Sequence, residues 1–169
     1  MRVLAAIVLG AVMSTGAMAF GENSGVGVGV CIPSGDLAEV NETSWYVQAR
    51  SLSARKVVGW RAGTYYGDTT AHGSIDGGRV YGFDAEALAR FGGRASFGYV
   101  FAGAGYGRLT FSRPGDLPGV VVRSSEWDWS MQGGVGVVIN RKIYLEAMYV
   151  QFQTDPKSAF IPVVIGFQY

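Results

Sequence analysis

The chain has 169 residues, enough for one domain; 26 glycines and an aromatic content of 13% fit neither a disordered chain nor a compact helical enzyme. A formal charge of +1 leaves no basic surplus with which to hold nucleic acid. A single cysteine, Cys31, excludes an internal disulfide, and with the sole histidine, His72, isolated from it there is no metal-ligand set; no cofactor loop is present either.

Met1 to Ala19 begins with Arg2, continues as an apolar run from Val3 to Met13, and ends in Ala17-Met18-Ala19. That is the pattern of an export signal cleaved after Ala19, and the run is shorter than the roughly 20 apolar residues of a membrane-spanning helix. Residues 20–169 are then the exported domain. Gly25 to Pro33 (GVGVGVCIP) sets Val26, Val28, Val30 and Ile32 on one side and three glycines with Cys31 on the other. Strict alternation is a strand signal, and Cys31 reads as a small inward filler.

Ser34 to Thr43 reads as a loop, and Ser44 to Ser53 as a second strand with Tyr46, Gln48 and Arg50 opposite Trp45, Val47 and Ala49. A tight turn at Arg55-Lys56 leads into Val57 to Gly67, where Arg61 and glycines oppose Val58, Trp60, Ala62, Thr64 and Tyr66. Asp68 to Gly78 is a second polar loop. In Val80 to Phe91, Ala-Glu-Ala-Leu-Ala is rich in helix formers, but Asp84, Glu86, Leu88 and Arg90 alternate without a break against Tyr81, Phe83 and Phe91. A strand is predicted.

Gly92-Gly93 turns the chain into Arg94 to Phe111, whose Phe97, Tyr99, Phe101, Leu109 and Phe111 are expected on the outer face, with Arg94 and Arg108 inside. Ser112 to Arg123 reads as a third long loop. Glu126 to Ile139 has the cleanest alternation, with Trp127, Trp129, Met131 and Val135 opposite Glu126, Asp128, Ser130 and Gln132. Asn140-Arg141-Lys142 is a tight turn into Ile143 to Gln153, where Tyr144, Glu146 and Met148 share a face. A brief turn at Asp155-Pro156-Lys157 leads to the last strand, Ala159 to Tyr169. There Ile161, Val163, Ile165, Phe167 and Tyr169 form one wholly apolar face.

The expected fold is all-β: an eight-stranded antiparallel up-and-down transmembrane β-barrel with alternating short turns and longer outer loops. Parity alone does not say which face is inside. The export signal, the terminal aromatic and aromatics near strand ends (Trp45, Trp60, Tyr66, Tyr81, Phe91, Phe97, Phe111, Trp127, Tyr169) place the apolar face in lipid, as interfacial girdles require. The expected interior holds Arg50, Arg61, Arg90, Arg94 and Arg108 against Asp84, Glu86, Glu126, Asp128 and Glu146, a paired polar core.

The segments GVGVGVCIPSGDL, FAGAGYG, GGVGVVINRKIYLEAMY and IPVVIGFQY together resemble the small eight-stranded outer-membrane barrels of the outer membrane protein A, Opa and outer membrane protein X type. The resemblance implies residence in a bacterial outer membrane, contact with its lipid, a monomeric barrel, and a last strand ending at Tyr169 that is read by the barrel assembly machinery. It implies no enzyme, and a structural or surface-interaction role through the outer loops. An enzymatic alternative rests on His72, Ser74 and Glu86. His-x-Ser with a later Glu is similar to the triad of lipid A 3-O-deacylase, although that family follows its serine with Asn where this chain has Ile75. A small pore is a further alternative, disfavoured because eight strands enclose side chains rather than water.

Overall fold

The computed structural model describes residues 23–35, 38, 41–53, 57–71, 78–114, 121–154 and 158–169. Among them are eight long strands. These are β1 (Asn23–Gly35), β2 (Ser44–Ser53), β3 (Val58–Ala71), β4 (Gly78–Gly92), β5 (Phe97–Pro114), β6 (Val121–Ile139), β7 (Ile143–Phe152) and β8 (Ser158–Gln168). A two-residue strand, Asn41–Glu42, adds to β3 opposite Thr70 and Ala71.

Each long strand pairs antiparallel with the next, and β1 pairs with β8 from Gly25↔Gln168 to Gly35↔Ser158. The sheet therefore has no open seam. In lipid, an unpaired backbone edge costs several kcal/mol per group, so closure is what makes such a sheet viable there.

The turns follow from local chemistry. Asn140 and Arg141 both have positive φ, 51° and 57°, and Lys142 N donates to Ile139 O at 3.1 Å. Those φ values make a primed β-turn, whose twist suits antiparallel strands, within the three-residue connection between the paired Ile139 and Ile143, and Asn is among the non-glycine residues that best tolerate such a φ. Gly92 adopts φ 109°, a value that Cβ-bearing residues rarely take, where the chain leaves β4. At the opposite end the strands outrun their predicted limits: β3 continues to Ala71, β5 to Pro114, and β6 starts at Val121. Half of the expected loop Ser112 to Arg123 is thus paired strand, Ser112 to Pro114 against Val121 to Arg123, and residues 115–120 lie outside the described residues.

Seven strands face as their alternation predicts; β5 is reversed. Phe97, Tyr99, Phe101 and Leu109 are buried inside the barrel, while Ala102, Ala104 and Tyr106 look outward. Residues directly opposite each other in a sheet share a face, so the register of its neighbours fixes the parity of β5. Arg61, Glu86, Gly103 and Gln132 are successive partners across β3 to β6. Once Arg61 points inward, Gly103 does too, and Phe101 and Tyr99 follow. Phe97 therefore leaves the expected girdle, whereas Trp45, Trp60, Phe91, Trp127 and Tyr169 remain exposed.

The rings of β5 and β7 fit inside because glycines lie beneath them. Gly136 is the β6 partner of Tyr99, and a Cβ there would stand 2.7 Å from Tyr99 Cε2. Tyr144 likewise covers Gly166 and Gly27, where a Cβ would meet its Cζ at 2.9 Å in the latter case. Gly136→Val should lower stability by about 1–3 kcal/mol through overpacking, seen as an earlier urea midpoint of the refolded barrel.

The interior is layered. Leu52, Leu88, Phe97 and Val138, next to the short turns, are buried, as are Tyr46, Val80, Phe152 and Phe160 toward the longer loops. Tyr46 stacks on Tyr65 at 6.0 Å and Phe152 on Phe160 at 6.1 Å. Cys31 is fully buried, the expected filler. Between the two apolar layers lies a polar one.

Candidate functional site

The polar layer is centred on Glu146 of β7. Its alternation with Leu145 and Ala147 sends the carboxylate into the lumen, where it is bonded by Arg50 and Gln48. The Tyr99 hydroxyl donates to it at 2.5 Å, and Arg61 Nε stands 3.3 Å away. Side chains of three other strands, β2, β3 and β5, thus converge on one carboxylate.

Arg50 also donates to Tyr99 and, at 3.1 Å, to Gln168 Oε1. Its guanidinium lies 3.6 Å from the centre of the Tyr144 ring, a cation–π contact strengthened by the burial of both groups. Because Gln168 belongs to β8, the arginine links β2 to β7 and to the strand that closes the barrel. Arg61 pairs with Glu86, stands 3.7 Å from Asp84 Oδ1, and sits 4.5 Å over the Phe101 ring. Gln132 Nε2 donates to Glu86 Oε1 at 2.8 Å. All five charged residues are between 1% and 6% exposed.

Arg50, Arg61, Asp84, Glu86 and Glu146 are therefore where the sequence placed them. The other five expected interior charges are elsewhere. Arg94 is exposed in the turn after β4, and Arg90 is half-buried at the rim, donating to Gly93 O at 2.5 Å with its guanidinium 4.0 Å over Phe97. Arg108 lies on the outward parity of β5, donating to Ser125 Oγ at 2.7 Å and Tyr81 OH at 3.4 Å. Glu126 is exposed and Asp128 half-buried, because β6 pairs with β7 only from Ser130 onward and climbs past the lumen there. The network also includes Gln48, Gln132, Tyr99 and Tyr144, which a search for charges passes over. Three of these share the parity of the charges they serve; only Tyr99 is expected from its strand on the other face.

Of the catalytic alternative, Glu86 is described, and His72 and Ser74 lie outside the described residues. Glu86 is held mid-strand by Arg61 and Gln132, 4% exposed. Among the described residues no group of three His, Cys, Asp or Glu is arranged to hold a metal ion.

The outer wall is the chemical inverse of the lumen. Val28, Met131, Ile165 and Phe167 are 55–65% exposed. Toward the longer loops a run of rings wraps the wall, with Trp45 stacked on Tyr66 at 5.2 Å, Tyr81 against Trp127 at 5.6 Å and Tyr106 against Trp127 at 5.5 Å. An apolar surface this continuous needs lipid around it, and the aromatic band is what a membrane interface selects.

A closed sheet with an apolar, aromatic-banded wall and a charged, side-chain-filled lumen defines a small transmembrane β-barrel of the outer-membrane kind. Solved structures share that fold. The N-terminal β-barrel domain of Pseudomonas aeruginosa OprF is 12% identical, with 88% of this chain and 98% of that one covered and a TM-score of 0.59. Ail, the attachment invasion locus protein of Yersinia pestis, is 16% identical over 89% and 100% of the two chains, with a TM-score of 0.59. The outer membrane enzyme PagL is 11% identical over 86% and 97%, with a TM-score of 0.58. No protein-family model and no curated protein matches the sequence. The likeness is one of fold, and one fold hosts both enzymes and non-enzymes.

Proposed function

We propose that the chain is a non-enzymatic outer-membrane barrel that contributes to the envelope or to surface contacts through the segments joining its strands at the longer-loop end. The observation that carries this reading is the filled lumen. Glu86, the carboxylate a His72–Ser74 triad would need, is committed to Arg61 and Gln132 inside the barrel, and an orienting carboxylate must reach its histidine. A polar layer between two apolar ones also supports a closed interior over a pore. Export through cleavage after Ala19, and assembly through a last strand ending at Tyr169, belong to the same proposal.

Replacing residues 36–43, 72–77 and 115–120 by short Gly-Ser linkers should leave insertion intact and abolish surface adhesion or weaken the envelope; unchanged adhesion and envelope integrity would count against the reading. His72→Ala should leave the acylation pattern of lipid A unaltered. Purified protein in planar bilayers should conduct no more than bilayers alone. Altered lipid A or stepwise conductance would move the protein to the enzymatic or the pore class.

A further inference from the structure

The wall carries charge at one place. Among the residues whose side chains are described, Arg79 and Arg108 are the only cations on the lipid-facing parity of the eight strands, and Asp68 is the only acid. Both arginines lie at the longer-loop end, on adjacent strands. Arg79 of β4 is opposite Thr110, and Arg108 of β5 is opposite Tyr81, so the two are diagonal neighbours about 7–8 Å apart. Arg79 is also the register partner of Asp68, yet neither arginine forms an ion pair among the described residues. Both are half-buried.

The aromatic band frames the pair. Arg108 lies between its register partners Tyr81 and Trp127, whose rings meet edge-on at 5.6 Å. Two residues along the strand, Tyr106 stacks on Trp127 at 5.5 Å and meets Trp129 at 5.2 Å. On the loop side, Arg108 Nε donates to Ser125 Oγ at 2.7 Å, and that hydroxyl is 3.1 Å from Thr110 Oγ1. Rings of this kind settle at the headgroup level of a membrane, so the two guanidiniums face headgroups. Like charges held side by side on a sheet repel, and an anion between them turns that repulsion into two attractions.

We propose that Arg79 and Arg108, with the Ser125 hydroxyl beside them, bind a phosphate group of an outer-leaflet glycolipid of the lipid A class, whose acyl chains lie along the wall below. The planar fork of arginine matches phosphate oxygens and stays charged at any physiological pH. Longer loops mark the outer end of such barrels, which sets the leaflet. A free phosphate offers the same oxygens, but the site stands on the lipid-facing wall among rings that contact acyl chains, and that placement selects the lipid. The inference deepens the proposed function by naming an envelope partner, and it rests on that reading's placement of the wall in the outer membrane.

The test offers the full protein, purified from membranes in detergent and freed of native lipid, three probes: lipid A with its phosphates, lipid A stripped of them, and inorganic phosphate. Native mass spectrometry counts the lipid retained. The unsubstituted protein should hold the phosphorylated form and bind the stripped form at least about tenfold more weakly, and excess inorganic phosphate should not displace the lipid. Arg79→Gln and Arg108→Gln should each weaken retention about tenfold. Arg94→Gln, in the exposed turn at the other end, should leave it unchanged. Equal binding of the two lipid forms, or full retention with both Arg79 and Arg108 replaced, would overturn the proposal; displacement by inorganic phosphate would overturn the lipid as its occupant. The comparison of lipids needs no variant, so a substituted chain that fails to fold leaves the decision to it. Loss of this site leaves the proposed function standing, whereas a chain that does not reach the outer membrane in cells fails that reading before any lipid is added.

Discussion

Arg61→Met should cost the folded barrel about 3–5 kcal/mol, the largest loss expected from a single substitution in the interior. The side chain is 1% exposed and faces Asp84, Glu86 and Glu146. Methionine fills much of its volume but supplies no charge, so three carboxylates would share Arg50 alone. Breaking a buried pair from one side is far more costly than removing both partners, because the charge left behind cannot reach water. Arg61→Met combined with Glu86→Gln should therefore recover at least half of the loss. Urea unfolding in lipid vesicles, followed by tryptophan fluorescence, measures both. A single variant within about 1 kcal/mol of the parent, the range of an exposed ion pair, would mean that water reaches Arg61 and that the lumen is not closed as described.

The second large effect is expected on the opposite face of the wall. Val28 is 61% exposed near the middle of β1, with Val47 and Ile165 as its partners on either side. Placed in lipid, Val28→Arg should cost about 2–4 kcal/mol, the penalty for arginine near the bilayer midplane of a barrel wall. Were the same face in water, the substitution would fall within about 0.5 kcal/mol, as surface changes do. Folding yield and urea midpoint in bilayers separate these outcomes. A neutral result would reverse the assignment of faces and make a soluble barrel the better description.

Both expectations depend on which way side chains point, and that is where sequence and structure divide. In β1, β4, β7 and β8 the alternation is chemically unequal, valine against glycine or alanine against acid, so the faces are legible from the strand itself. β5 lacks that contrast. Its aromatics share a parity with Gly103, Gly105 and Gly107, and the opposite parity carries alanines, Tyr106 and Arg108. Either face is apolar enough for lipid, and Arg108 on one of them marks it, misleadingly, as the inner one. Glu126 and Asp128 differ from expectation for another reason. Their parity is the inward one, but β6 rises beyond the end of β7 there, and an inward direction above the rim is not an interior.

The site was legible to a similar extent. Five charges in the cores of β2, β3, β4 and β7 were identified because a charge at the middle of an otherwise apolar alternation has nowhere to go but the lumen. Their neutral partners are not, since Gln48, Gln132 and Tyr144 acquire meaning only when strands far apart in sequence meet: Gln48 bonds Glu146, 98 residues away, Gln132 bonds Glu86, and the Tyr144 ring lies against Arg50.

Eight strands, the facing of most of them and a polar interior are legible in the chain alone, because strand periodicity is a local property written in neighbouring residues. Only the tertiary structure settles the faces of β5, the pairing of Arg50 and Arg61 with particular carboxylates, and the placing of Gly136, Gly166 and Gly27 beneath the rings of Tyr99 and Tyr144. Each of those is set by register between strands and by closure of the sheet, relations among distant residues that no single stretch of chain contains.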